Sequence, residues 1–569
     1  MIHSKQINVE NGLGMYKRGG IFGTIIAGLG LAAGCLFDRG AQSGPGTAFD
    51  LQGYIDRRVQ AGEKRIVVPP GRYRVKPQRA QHLALKGLAD VTLIADGVEM
   101  ICTETSRALT LTGCTNVTVR GLSIDYDPLP FTQGRIVSLS ADKTVHEIEL
   151  FEGYPPADKV DGSKYEIFRP DTRTLRCPDY SYTVEKVDAR HLRVHKNRGS
   201  AQDPEQVGDI IVIGTTDAPG GRNAHAVVIE QSRAVRLEKV SLYASNCFGF
   251  LEYDCDGTTY DRCRLDRRPP AGDPARRANP RIRSGNADAF HSKHAVGGPH
   301  LIGCVARFQG DDCLNICGDY HMVTACRGRV LRVLAKHRMN IGAGEPVELF
   351  AYDGRRLPDV RAVAVVRDGT ITAEERAFVS RQRMDEGVRT KGCAEAYTVT
   401  LDRAVTLPMG SAICSTRRVG NGFLVKGCTF GFNRSRGILI KASNGEVVGN
   451  TLTGSRMAAV LVSPEYWWLE AGSSNDVVIR DNEIAGCGRT AIEVSAHDAK
   501  GRIAPAGAHN RIAIVNNRIS GSPLPCIAVT STDRLTIDGN RVTAPSGGAG
   551  DAVVTNNCTA VTLGISRVR

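Results

Sequence analysis

The sequence predicts an all-β chain, a right-handed parallel β-helix carrying two inserted antiparallel β modules, and three observations lead there. The first is composition: Gly 62, only 6% aromatic residues, and valine- and isoleucine-rich segments favour short strands and tight turns over long helices. The second is texture. Strand-sized runs such as "LTLTGCTNVTVRGLSIDY", "HAVVIEQSRAVRLEKVSLYAS" and "NDVVIRDNEIAGCGRTAIEVSA" follow one another with turn residues between them. The third is period. An Asn-x-apolar element recurs at Asn450, Asn482, Asn517 and Asn540, Cys428 precedes Asn450 by one interval, and Cys304 precedes Cys326 by the same interval. A repeat of roughly 22 residues, each supplying three short strands, describes a β-helix coil.

Residues 1–35 carry Lys17 and Arg18 and then "GGIFGTIIAGLGLAAGC", an export segment in outline and too short to span a bilayer comfortably. Its end resembles a bacterial lipoprotein signal, which makes Cys35 the expected lipidation site and a lipid anchor the expected membrane contact. The predicted destination is the periplasm, the outer membrane as a lipoprotein, or the exterior. Residues 49–134 open with "FDLQGYIDRRVQAGEKRIVVPPGRYRV", a short polar helix followed by two strands around Pro69-Pro70-Gly71. A helix there closes the first coil, whose strand edges would otherwise stay unpaired. Residues 135–213 and 328–419 lose the repeat and read as alternating strands with hairpin turns. They are taken as insertions, flanking central coils at 214–327 and followed by C-terminal coils at 420–569; a solenoid tolerates these because each coil touches only its neighbours.

With 41% hydrophobic and 23% charged residues the chain is neither disordered nor a multispan membrane protein. The net charge of +13 is dispersed, and no zinc-finger, helix-turn-helix or ribonucleoprotein pattern accompanies it, so no nucleic-acid partner is expected. Most of the 17 cysteines lie in apolar strand-like runs and read as small buried hydrophobes. Cys313 and Cys317 match no strong metal signature, and no metal or other cofactor is expected.

"GNADAFHSKHAVGGPHLIGCVARFQGDDC" places Asp288 about one coil before the adjacent pair Asp311 and Asp312. Successive coils stack about 4.8 Å apart, so three carboxylates should crowd into one patch and raise at least one pKa. Such a group suits an inverting glycosidase, which needs a protonated acid and an ionised base about 6.5–9.5 Å apart. A turn ladder or a calcium site are the competing readings of the same residues. Consecutive residues on a strand face opposite ways, so Asp311 and Asp312 can cooperate only at a bend or bulge.

"NAD" (Asn286–Asp288) and "GDD" (Gly310–Asp312) resemble the Asn-x-Asp and Asp-Asp motifs of polygalacturonases. The fuller string "ADAFHS…GP…GC…GDDCLNICGDYHMV", with "IDYDPLPFTQG" and "RGILIKAS", is closer to glycoside hydrolase family 110, within the pectate-lyase-like β-helix superfamily. That resemblance implies an inverting enzyme that removes terminal α-1,3-linked galactose from an oligosaccharide or polysaccharide. It implies Asp311 as general acid, with Asp288 and Asp312 on the water. Cys317 stands where the family pattern leads one to expect histidine.

Around the trio, Asn286, His291, His294 and His321 are candidates for holding sugar hydroxyls. Arg436 and Lys441 resemble the cationic strand of polygalacturonases, and Glu252 could face the same groove. "SPEYWWLEAG" sets Trp467 and Trp468 beside Glu465, as a sugar-stacking platform or as a plug over the solenoid. Asp125 and Asp127 read as a structural corner. The competing functions are a polygalacturonase-like hydrolase, a polysaccharide lyase, or a non-catalytic carbohydrate-binding solenoid.

Overall fold

Each short strand pairs in parallel with its counterpart one coil away, and the pairings build three long sheets that run the length of the molecule. The computed structural model describes residues 49–178, 181–216, 224–270, 277–543, 550–564 and 567–568; the expected export segment and Cys35 lie outside the described residues. No helix among the described residues is long and apolar enough to cross a membrane.

One inward column shows why these sequences stack. Phe250, Phe290, Leu314, Ile438, Val460, Ile492 and Ile527 lie in register on successive coils, all buried. Alternate positions point outward, so a three-residue strand needs only one or two apolar residues to join the core. At one corner of each coil a polar ladder closes the turn. Asn450 Nδ2 donates to Asn482 Oδ1 at 2.9 Å, Asn482 to Asn517 at 2.9 Å and Asn517 to Asn540 at 3.0 Å. Cys263, Cys304 and Cys428 fill the same corner upstream, each thiol donating to a carbonyl of the preceding coil. Cys326 is not on this ladder, against the expected Cys304–Cys326 repeat: it lies in a strand of the second insertion. The helix Leu51–Gln60 closes the first coil as expected, burying Leu51 and Ile55, with Asp50 accepting from Gly53 N.

The first insertion is a seven-stranded antiparallel sheet running from Phe131 to Gly214. It starts four residues before the expected 135, because Phe131–Leu139 is one unbroken strand. The second is a closed six-stranded barrel beginning with His321–Arg327 and ending with Ala412–Ser415. It starts before the expected 328, since Gly328 (φ 61°) is the turn of the barrel's first hairpin and not its entry. Only Tyr320 separates that barrel strand from the solenoid strand Leu314–Asp319.

Candidate active site

The strand Phe290–Lys293 pairs with Leu314–Asp319 so that Phe290 lies opposite Leu314. This register sets Asp288 across from Asp312, 24 residues on, rather than Asp311, and Asp312 N donates to Asp288 Oδ1 at 3.2 Å. Asp311 and Asp312 sit in the bend just before the strand. The side-chain alternation of a strand therefore does not separate them, and one oxygen from each of Asp288, Asp311 and Asp312 lies within 4.8 Å of the others.

Each carboxyl has a different neighbourhood. Asp311 takes Lys164 Nζ at 3.3 Å and the Arg434 guanidinium, and its side chain is 26% exposed. Asp312, 3% exposed, takes the Arg436 backbone N at 2.8 Å and its Nη2 at 2.9 Å. Asp288 meets His291 Nδ1 at 2.8 Å. Burial and the neighbouring carboxylates push Asp312 up to about 7, Arg436 notwithstanding, and burial followed by Asp311 pushes Asp288 well above the ordinary carboxylate range. Burial acts on Asp311 in the same direction, yet Arg434 and Lys164 overcome it and hold that carboxyl down at about 2. Burial also drives the His291 imidazole down to about 3, so it is neutral beside Asp288.

The strand face beyond the trio is covered. Residues 463–473 fold back over it, Glu470–Ala471 pairing antiparallel with Gly318 and Asp319. Lys441 Nζ is fully buried beneath this flap, 3.0 Å from Glu465, 2.9 Å from Glu470 and 3.1 Å from Asn315 Oδ1. Arg436 lies 3.7 Å from Glu465. The barrel clamps the flap: Glu348 accepts from Ser473 N and Oγ, Lys336 Nζ donates to the Leu469 carbonyl, and Tyr466 OH donates to Gly410 O.

Among the described residues two clusters have the residue types of a metal site, the Asp trio and His291 with Cys317 and Glu470. Neither suits a cation. Lys164, Arg434 and Arg436 already sit on two of the three aspartates, and Lys441 on Glu470, so a divalent ion would have to displace built-in charges.

The structure thus brings together Asp288, Asp311, Asp312, His291, Arg436, Lys441 and Glu465. It places six other predicted residues elsewhere. Glu252 points into the solenoid, aligned with Ser292 and Ile316, because it occupies an inward strand position. Asn286 is buried, tying the Asp288 turn to the Pro130 carbonyl at 2.7 Å. His294 is buried between Asp319 at 2.8 Å and Asp254 at 3.3 Å. His321 belongs to the barrel, bonded to Asn340 Oδ1 and to Lys336 N. Trp468 packs with Tyr466 and Leu469 against the barrel, as a plug and not a platform, while Trp467 is half-buried and its carbonyl accepts from Asp385 N. Asp125 is the expected corner, buried under Arg281 and Arg268. Sequence reasoning missed Lys164 and Arg434. Lys164 follows the Asp161-Gly162-Ser163 turn, and nothing in that stretch announces that it returns to the solenoid; Arg434 is signalled only by its alternation with Arg436.

Comparison with known proteins accords with this architecture. The family described as "Right handed beta helix region" matches residues 386–561. Alpha-1,3-galactosidase A of Bacteroides fragilis is 20% identical over 543 residues, covering 86% of this chain and 84% of that protein. Alpha-1,3-galactosidase B of Bacteroides thetaiotaomicron is 23% identical over 492 residues, covering 76% and 72%. The chain is similar to bacterial α-1,3-galactosidases over most of its length. Among solved structures, the A-module of the Azotobacter vinelandii mannuronan C-5 epimerase AlgE6 matches with a TM-score of 0.35 at 13% identity, covering 90% of this chain and 93% of that one. The catalytic domain of a GH87 alpha-1,3-glucanase in complex with nigerose matches with a TM-score of 0.38 at 10% identity, covering 91% and 63%.

Proposed function

We propose that the chain is a glycoside hydrolase that removes terminal α-linked galactose, α-1,3-linked in particular, with inversion at the anomeric carbon. The observation that carries this reading is the trio itself: three carboxyls in one patch, one held ionised and two kept protonated by their surroundings. The shared name of the relatives supports the substrate. The flap over the strand face supports attack on a chain end, since it blocks a groove that an internal stretch of polysaccharide would need.

In this reading Asp312 delivers its proton to the glycosidic oxygen as the C–O bond breaks. Asp311, ionised and the most open to solvent, takes a proton from the attacking water. Asp288, fixed by His291, holds that water from the other side: carboxyl oxygens within 4.8 Å can both accept from one water at about 2.8 Å each. These roles reverse the Asp-Asp assignment implied by the resemblance. The nearest-oxygen spacing is shorter than the carboxyl separation of about 6.5–9.5 Å usual for inversion, so the stereochemistry rests on the resemblance.

A uronate substrate is disfavoured because Arg436 and Lys441 are committed to Asp312, Glu465 and Glu470. The test is incubation with an α-1,3-galactobiose and a trigalacturonate in parallel. Galactose from the first is the expected result; release from the uronate alone overturns the substrate. Export and lipidation at Cys35 belong to the same proposal, supported by the N-terminal segment alone. Lipid labelling lost in Cys35→Ser is expected, and labelling retained there rejects it.

A further inference from the structure

The inserted sheet reaches the site through the strand Glu166–Phe168 and through Lys164, which lies just before it in the left-handed region (φ 54°). Tyr165 and Ile167 point into the sheet's own core, while Lys164, Glu166 and Phe168 alternate with them toward the solenoid, where Phe168 joins the main core. Glu166 sits over the fully buried Arg283 at 2.7 Å, and Arg283 in turn donates to the Lys164 carbonyl and to Asn286 Oδ1. Arg434 bridges Glu166 at 3.4 Å, the Gly310 carbonyl and the Asp311 carboxylate. Lys164 is therefore anchored on both sides where its ammonium meets Asp311.

We propose that Lys164 is a positioning residue that the first inserted sheet supplies to the solenoid, and that with Arg434 it fixes Asp311 as the ionised member of the trio. The groups facing Asp311 come from several elements. Lys164 arrives from the inserted sheet, Arg434 and Arg436 from the turn one coil on, and Asp288, Asp312 and Cys247 from its own and the preceding coils. The Cys247 thiol is pushed up to about 12 by burial and is neutral, and ionised Asp311 in turn opposes ionisation of Asp288 and Asp312. Arg434 also contacts Asp311 but shares its guanidinium with Glu166, and Arg436 is held by Asp312, whereas the ammonium of Lys164 is directed to Asp311. Without it the proton has less reason to stay on Asp312 and Asp288. The insertion then does more than decorate the solenoid: together with Arg434 it helps set which carboxyl is base and which is acid. This deepens the hydrolase reading and rests on it for its consequence, though not for its test.

The test is a carboxyl titration of the full chain, labelled with 13C at aspartate and free of substrate, with Asp311 assigned by its loss in Asp311→Asn. Asp311 is expected to titrate near 2 in the wild type, about one pH unit or more higher in Lys164→Met, and near the wild-type value in Lys164→Arg. An unchanged midpoint in Lys164→Met overturns the proposal. So does a midpoint raised equally in Lys164→Arg, because that would reflect disturbed docking of the sheet and not lost charge. A thermal melt of each variant identifies unfolded samples. Should a Lys164→Met sample fail to fold, Lys164→Gln read the same way decides. Because the titration needs no turnover, a protein inactive on galactosides would reject the function while leaving this result readable.

Discussion

The central and C-terminal coils share one backbone plan and use it for opposite ends. Along one outward column the residues run Lys293, Cys317, Lys441, Ser463 and Ser495. The neighbouring outward column runs His291, Asn315, Leu439, Leu461 and Glu493. Imidazole and amide give way to leucine over two coils before a charge returns at Glu493. At the corner of the same coils, the C-terminal part stacks asparagines in which each amide serves the next. In the central part that corner holds Cys263 and Cys304, and the aspartates crowd a different turn, the one leading into the strands Phe290–Lys293 and Leu314–Asp319, where they are buried and mutually repelling. Satisfied polar ladders stabilise a solenoid, whereas crowded carboxyls cost stability, which is the physical reason to read the trio as a site.

The comparison breaks most sharply at Asp312. Asp312→Asn is expected to lower kcat about 1,000-fold, as for loss of a general acid, with a melting temperature unchanged or raised because repulsion is relieved. An aryl galactoside with a good leaving group should recover much of the loss in this variant. In Asp311→Asn azide should do so instead. The reverse pattern would restore the roles implied by the resemblance.

Glu252 carries the contrast into the core. Burial raises its carboxyl to about 7 from an ordinary 4.5, with Ser292 donating to it. An acid whose folded pKa is raised contributes full stability below the unfolded value and loses it as pH rises from about 4.5 to about 7. The loss is at most about 3 kcal/mol, from 1.36 kcal/mol per unit. Between denaturant melts at pH 4.5 and 7.5 the fall should be smaller in Glu252→Gln than in the wild type by up to that amount, the remainder coming from Asp288 and Asp312.

In the C-terminal coils Asn482→Ala is expected to cost about 2 kcal/mol by leaving its buried neighbours on the ladder unpaired, with kcat unchanged. A drop in kcat at equal occupancy of the folded state would dissolve the distinction between the two regions. The smallest effect is in the wild-type pH profile, where activity should decline above about pH 7, tenfold per unit, as Asp312 loses its proton.

Most of the solenoid was legible because its signals are local: strand-sized apolar runs and turn glycines recur along it, and the asparagine corner recurs through the C-terminal coils. The trio was legible for the same reason, two turns one coil apart. What the sequence did not disclose is direction and return. Asn286 and His294 lie within three residues of Asp288 and His291, and Glu252 lies one coil before them, yet strand phase turns Glu252 inward, and a hydrogen bond to Pro130 O and a close contact with Asp319 hold the other two in buried places. Lys164 reaches Asp311 across 147 residues of chain, a closure that no local pattern encodes. His321 was assigned to the solenoid because the hairpin turn at Gly328 has the same local chemistry as an entry into an insertion.

If the crowded carboxyls invert an α-galactoside as proposed, proton NMR of the first anomer released from an α-1,3-galactobiose will show it. β-Galactose is expected first, mutarotating later to the equilibrium mixture, and none from Asp312→Asn over the same interval. Initial α-galactose would contradict it, placing a carboxylate and not water at the anomeric carbon, as the close spacing of the trio would allow in a retaining enzyme.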